Sequence, residues 1–359
     1  MDDQNYEIFK KLSKFGFLTI SVSIIITYLL SLPIGLNLLF LTEQGIMVSN
    51  SVLNSIPTSM FIFFNFGIPL SISKGTLFFV LLSVYAICFI IAWGLRINFH
   101  SIIFKAFSIP VRRIFDNFLV TMPLISSTLL LSVVAIQSLQ EIYGVETGSI
   151  TFQNQFEGLF LLAYSPLLEE FSYRITPIGL ILLISILLKL GKEGNFPSFK
   201  IYALSFLYPE KAKEKANMNT IQNKGFREGI SSSEWFILSF SSIFFGINHY
   251  LPGGSWGIGK ITSAALAGFV FGLAYLYYGI HAPILLHWSF NYYMFSYEIF
   301  AENYGGISTS ISDLNQLMII TLGSIGLVSL LLFLMKRVRA KFKIFSKSEI
   351  LTKINLKKY

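Results

Sequence analysis

The chain has 359 residues, of which 53% are hydrophobic and only 13% charged, and its mean hydropathy is +0.65. Ordinary globular chains carry about 25% charged residues, so this balance excludes a water-soluble domain and indicates an integral membrane protein. The net charge of +8 reads as membrane topology and not as affinity for nucleic acid, because basic residues gather on the cytoplasmic side of multi-span proteins.

A bilayer core about 30 Å thick takes roughly 20 apolar residues per helix. The first such run follows Lys10, Lys11 and Lys14. It continues without a small-residue cleavage site, which predicts an uncleaved span over about 15–40. Further apolar segments fall at about 76–95, 117–137, 157–190, 235–250, 259–278, 281–298 and 316–335. The expected fold is therefore an all-α, multi-pass membrane bundle of about eight transmembrane helices. The lone cysteine, Cys88, lies inside one of these runs, so neither an internal disulfide nor a cysteine-based zinc site is available.

Basic residues before position 15, at 96–116, at 189–234 and at 336–359 account for 24 of the 27 lysines and arginines. That distribution predicts that both termini are cytoplasmic. The chain divides into N-terminal helices (1–150), a core (151–300) interrupted by a cytoplasmic loop at about 191–234, and a last helix with a basic tail (301–359). The tail reads first as a topology anchor and second as a segment lying on an anionic membrane surface. A multi-pass protein of the cell membrane, or of the endoplasmic reticulum membrane in a eukaryote, is expected.

Against this apolar background three groups of polar residues stand out. The stretch LLEEFSYR places Glu169, Glu170 and Arg174 deep in an apolar segment, where each charge costs roughly 2.5–3.5 kcal/mol on insertion scales. On a helix Glu170 and Arg174 share a face and can pair, while Glu169 points about 100° away. Two later segments also use a spacing of four, Phe245 with His249 and His287 with Asn291. Only four histidines are present, and the other two, His100 and His281, fall near predicted span ends.

The order E-E-x-x-x-R, F-x-x-x-H, H-x-x-x-N resembles the CAAX protease and bacteriocin-processing family of intramembrane endopeptidases, which includes the type II CAAX prenyl endopeptidases. The resemblance covers roughly residues 155–298. It departs from the common pattern at Ile175, where many relatives carry glycine, and in the long segment before the second motif. It implies hydrolysis of a peptide bond in a membrane-associated peptide or protein, prenylated or bearing a leader. Glu169 would be the general base on water, His249 its second partner, and His287 with Asn291 the oxyanion donors. Glu170, Arg174 and Phe245 would support them. No cofactor is then required.

The same residues allow a zinc site of Glu169, His249 and His287 with an open position for water, although the helical H-E-x-x-H signature is missing. A proton-coupled transporter and a noncatalytic scaffold are the remaining alternatives. For the protease, the side chains of Glu169, His249, His287 and Asn291 are expected to converge on one cavity. Straight upright helices would instead hold the two histidines at depths about 12 Å apart.

Overall fold

The computed structural model describes residues 3–62, 64–194, 198–251 and 256–356, with side chains described up to residue 336 except at 3, 4, 6, 9 and 112. The side chains of the basic tail from 337 onward, and the glycine-rich residues 252–255, lie outside the described residues.

Helix α1 (Asp3–Leu41) is followed by α2 (Glu43–Asn50), which starts where the Thr42 side chain accepts a hydrogen bond from the Gly45 amide. Four short strands come next: β1 (Val52–Leu53), β2 (Ile56–Met60), β3 (Phe64–Ile68) and β4 (Ile72–Ser73). They form a narrow antiparallel ribbon in which β2 pairs with β3 and β1 with β4. This ribbon corrects the all-α expectation locally. Its sequence is only moderately apolar and rich in Ser, Asn, Gly and Pro, so it carries no helical period, and the pairing partners lie too close in sequence to look like a domain.

After the ribbon come α3 (Lys74–Gly94), the short α4 (Phe99–Phe104) and α5 (Val111–Ile114), and α6 (Phe118–Ile142). The first motif lies on α7 (Gln155–Glu170), which runs through a π-helical turn (Phe171–Ile175) into α8 (Thr176–Lys192). The three pieces form one continuous 38-residue helix.

Residues 191–234, expected as a loop, fold instead into a lobe of three helices: α9 (Phe199–Leu207), α10 (Pro209–Lys215) and α11 (Ile221–Gly229). Ile201, Ala212 and Ala216 pack on Leu182 and Ile186 of α8. These few small apolar residues suffice because α8 supplies the rest of the apolar surface. Glu210 caps α11 by accepting from the amides of Ile221 and Gln222; burial pushes its carboxyl upward and these two bonds oppose the shift.

The chain then enters α12 (Ser232–Tyr250), α13 (Lys260–Tyr278), α14 (His281–Trp288), a second π-helical turn (Ser289–Tyr293), α15 (Met294–Tyr304) and α16 (Ile307–Leu356). Ser231 and Glu234 form a capping box at the start of α12. Gly246 lets α12 approach α13 closely, since a β-carbon there would lie 2.3 Å from the Ile261 carbonyl oxygen. Small residues at such crossings are the usual basis of close packing between membrane helices.

Among the described residues six helices are long and apolar enough to cross a membrane, or seven if α11 and α12, bent by 69°, count as one span. The expectation of eight is thus too high by that measure. The segments that fall short, α12 by itself and α14 with its continuation, are the two that carry the histidine motifs. Their polar residues lower the hydropathy, and α14 compensates by being buried along its whole length.

The lobe is fastened to α12 by a buried ion pair, Lys213 Nζ to Glu234 Oε1 at 2.6 Å, with Lys213 also donating to the Gly229 carbonyl. Removing one member of such a pair typically costs about 3–5 kcal/mol. Lys213→Ala should therefore lower the thermal unfolding midpoint in detergent strongly. Lys211→Ala, which breaks the exposed pair with Glu214, should change stability by less than about 1 kcal/mol.

Candidate active site

The first motif sits where the long α7–α8 helix is least regular. Pro166 interrupts the α7 hydrogen-bond ladder from within the helix. Five residues later the backbone widens into the π turn, where the Thr176 amide reaches back to the Phe171 carbonyl. Thr176 Oγ1 also donates to the carbonyls of Phe171 and Ser172, so a hydroxyl quiets groups that the turn loosens. The second π turn contains Asn291 and directly follows the helix that carries His287. Single π turns are rare and frequently accompany functional sites.

Glu170 and Arg174 are both fully buried, and Arg174 Nη1 donates to Glu170 Oε1 at 3.0 Å. The same oxygen lies 2.8 Å from His287 Nδ1. A carboxylate oxygen only accepts, so this contact places a proton on Nδ1 and turns His287 Nε2 toward the rest of the site. Nε2 is 3.2 Å from the Asn291 amide nitrogen and 3.7 Å from Glu169 Oε2. Asn291 also donates to Ser165 Oγ at 3.1 Å.

The aromatic residues hold this polar cluster in place. The Arg174 guanidinium lies over the Phe245 ring at 4.0 Å, a cation–π contact of the kind that suits a planar, weakly hydrated cation. Phe245 meets His249 edge-on at 4.6 Å and His287 at 5.7 Å, and Phe271 stacks on His287 at 5.2 Å. His249 Nδ1 is 2.8 Å from the Phe245 carbonyl oxygen; it donates there and leaves Nε2 as an acceptor. Gly268 on α13 makes room for Arg174, since a β-carbon would fall 2.5 Å from Nη2.

A cavity of about 60 Å³ is lined by His249, His287, Asn291, Phe245, Phe271 and Lys260, among others. That volume accommodates at least one water. His249 and His287 therefore share one space, with Phe245 between them, and the depth mismatch of straight upright helices does not occur. Glu169 is not among the residues lining this cavity. It stands beside it, about a quarter exposed, against His287 Nε2. The inner position belongs to Glu170 because Arg174 lies one turn further on, which rotates Glu169 out of the pair.

His100 and His281 lie elsewhere. His100 packs on Phe104, and the buried His281 packs edge-on against Phe118. Sequence reasoning did not single out Lys260, Ser165 or Phe271. Lys260 opens α13 and lines the cavity, its ammonium resting on the Trp256 ring at 3.6 Å. The only signal was a lysine at the start of an apolar segment. Among the described residues no three His, Cys, Asp or Glu side chains are grouped as a metal ion would require.

The fold and the site define a multi-pass helical membrane protein with a buried carboxylate–arginine–histidine cluster beside a small polar cavity. Residues 152–293 match the family model described as type II CAAX prenyl endopeptidase Rce1-like, so this part of the chain is similar to that protease family. No curated protein and no solved structure matches the chain.

Arg174→Met would leave the Glu170 carboxylate buried without its cation, at a cost of about 3–5 kcal/mol. The double variant Glu170→Gln, Arg174→Met should recover a large part of that loss. Thermal unfolding of the single and double variants in the same detergent measures the coupling, and equal losses would show that the pair carries little of the stability.

Proposed function

We propose that the protein is an intramembrane endopeptidase that hydrolyses a peptide bond of a membrane-associated substrate, of which a prenylated CAAX-type C-terminal tail is the first choice. The observation that carries this reading is the sharing of one Glu170 oxygen by Arg174 and His287. It fixes the imidazole and aims its second nitrogen at Glu169 and Asn291. The match of residues 152–293 to a prenyl endopeptidase family supports the reaction class.

In this mechanism Glu169 takes a proton from a water as the water oxygen bonds to the substrate carbonyl carbon. His249 Nε2 holds the second hydrogen of that water. The developing oxyanion meets the Asn291 amide, which His287 orients by accepting from it at Nε2, with the Lys260 ammonium nearby. The proton held by Glu169 passes to the amine nitrogen as the C–N bond breaks. Glu170 and Arg174 touch no reacting atom; they position His287.

Two measurements test the proposal. With purified protein in lipid vesicles and a quenched farnesylated CAAX-type peptide, Glu169→Gln should lower kcat/KM by about 10²–10⁴, the usual worth of a general base. Unchanged activity would remove Glu169 from this role. Chelator treatment should leave the wild-type rate intact, and a loss that zinc restores would replace the water–carboxylate mechanism with a metal-dependent one.

A further inference from the structure

The ribbon of β2 and β3 does not lie at the end of the bundle but runs down the side of α7. Its foot is set by Lys74, which pairs with Glu157 at 2.7 Å, two residues into α7. Its tip reaches the first π turn, where the Ile62 amide donates to the Ser172 carbonyl at 3.2 Å and the Phe61 amide to Thr176 Oγ1 at 3.0 Å. Ser59 and Ser172 hydroxyls meet at 2.8 Å. Between foot and tip the Tyr164 hydroxyl donates to the Pro57 carbonyl. From Glu157 to Ser172 the helix rises about 22 Å at 1.5 Å per residue, most of a hydrocarbon core about 30 Å thick.

These contacts put β2 against the helix and leave β3 on the outside. All five residues of β3 are exposed, and β2 is its only strand partner among the described residues. Alternate peptide groups of such an edge point away from the partner strand and are free to pair. At membrane depth this matters: an unpaired backbone group in hydrocarbon costs several kcal/mol, and open sheet edges facing lipid do not occur there. The β3 edge therefore meets water or another strand. Phe64, Phe66 and Ile68 alternate along it, 67%, 45% and 43% exposed, and so form an apolar row on one face. Water satisfies the edge but not the row. An extended apolar peptide satisfies both.

We propose that the open edge of β3 is the docking strand for the substrate, an extended apolar peptide segment that pairs with it by β-augmentation and is thereby carried to the turn next to Glu169. The proposal rests on the protease reading above. It also meets a chemical need of that reaction: a helical segment hides its carbonyls in its own hydrogen bonds, whereas a strand presents them to an attacking water.

The test uses the full-length Glu169→Gln protein in lipid vesicles with photoreactive benzoylphenylalanine in place of Phe66, and a fluorescent farnesylated CAAX-type peptide as probe. Illumination should join the peptide to position 66, unlabelled peptide should compete, and the same photoreactive group at the exposed Ile90 of α3 should give no peptide adduct. Adducts only to lipid, or only to a second copy of the chain, would overturn the proposal. In the otherwise wild-type protein, Asn65→Pro and Phe66→Pro each remove one amide donor. Neighbouring amides face opposite edges, so one of the two should raise KM up to about tenfold with kcat little changed, as expected for one lost hydrogen bond. Unchanged KM in both variants would also overturn the docking strand, while wild-type cleavage in the same assay would leave the protease reading standing. Absence of wild-type cleavage would sink the protease reading, and the crosslink would still report on β3.

Discussion

A single carboxylate oxygen organises the centre of this protein. Glu170 Oε1 accepts from Arg174 of its own helix and from His287 of another, and all three side chains are withdrawn from solvent. In an apolar interior a lone carboxylate or guanidinium is prohibitively costly, so each of these groups can be present only because the others are. The consequence is geometric as much as energetic. The ion pair fixes α7–α8 in rotation, and the histidine fixes α14 against it. Phe245, lying over the guanidinium, brings in α12 with His249. Three helices of the chain are thus registered by one charged contact, and the cavity between them follows from that registration.

The backbone around this contact is irregular where the chemistry needs it. An uninterrupted α-helix through 155–192 would keep every carbonyl in its own ladder. Pro166 and the π turn at Phe171–Ile175 instead loosen the helix beside Glu169 and Glu170, and the freed groups are taken up by Thr176 and by the tip of the ribbon. The ribbon thereby becomes part of the site's wall although it is far from it in sequence. The lobe at 199–229 does the corresponding work at the other end of α12, where Lys213 and Glu234 hold the start of the helix whose far end carries His249.

How much of this was legible in the sequence depended on chemical contrast. Glu169, Glu170, Arg174, His249, His287 and Asn291 were visible because ionisable and amide side chains in apolar segments are costly and need partners. The ribbon, the lobe and Lys260 were not. Residues 52–73 alternate only over the five positions 64–68, too short a run to mark a sheet, the lobe's core is a handful of small side chains completed by α8, and a lysine at a helix start looks like a surface residue until Trp256 packs against it. The count of spans failed for a related reason: hydropathy cannot separate a helix that faces lipid from one, such as α14, that is buried inside the bundle.

The sequence by itself determined the class of protein, the run of membrane helices and the identity of the polar residues that must find one another. Those properties follow from transfer free energies and from spacings within single helices, which are local. Only the tertiary structure decided which glutamate takes the inner place, that His287 bonds to Glu170 through Nδ1, and that His249 reaches the same cavity. It also decided that a β-ribbon, and not another helix, flanks the motif. Each of these depends on how far helices tilt and on which side chain another element leaves room for, as Gly268 does for Arg174, and a periodicity read along one chain carries no record of its neighbours in space.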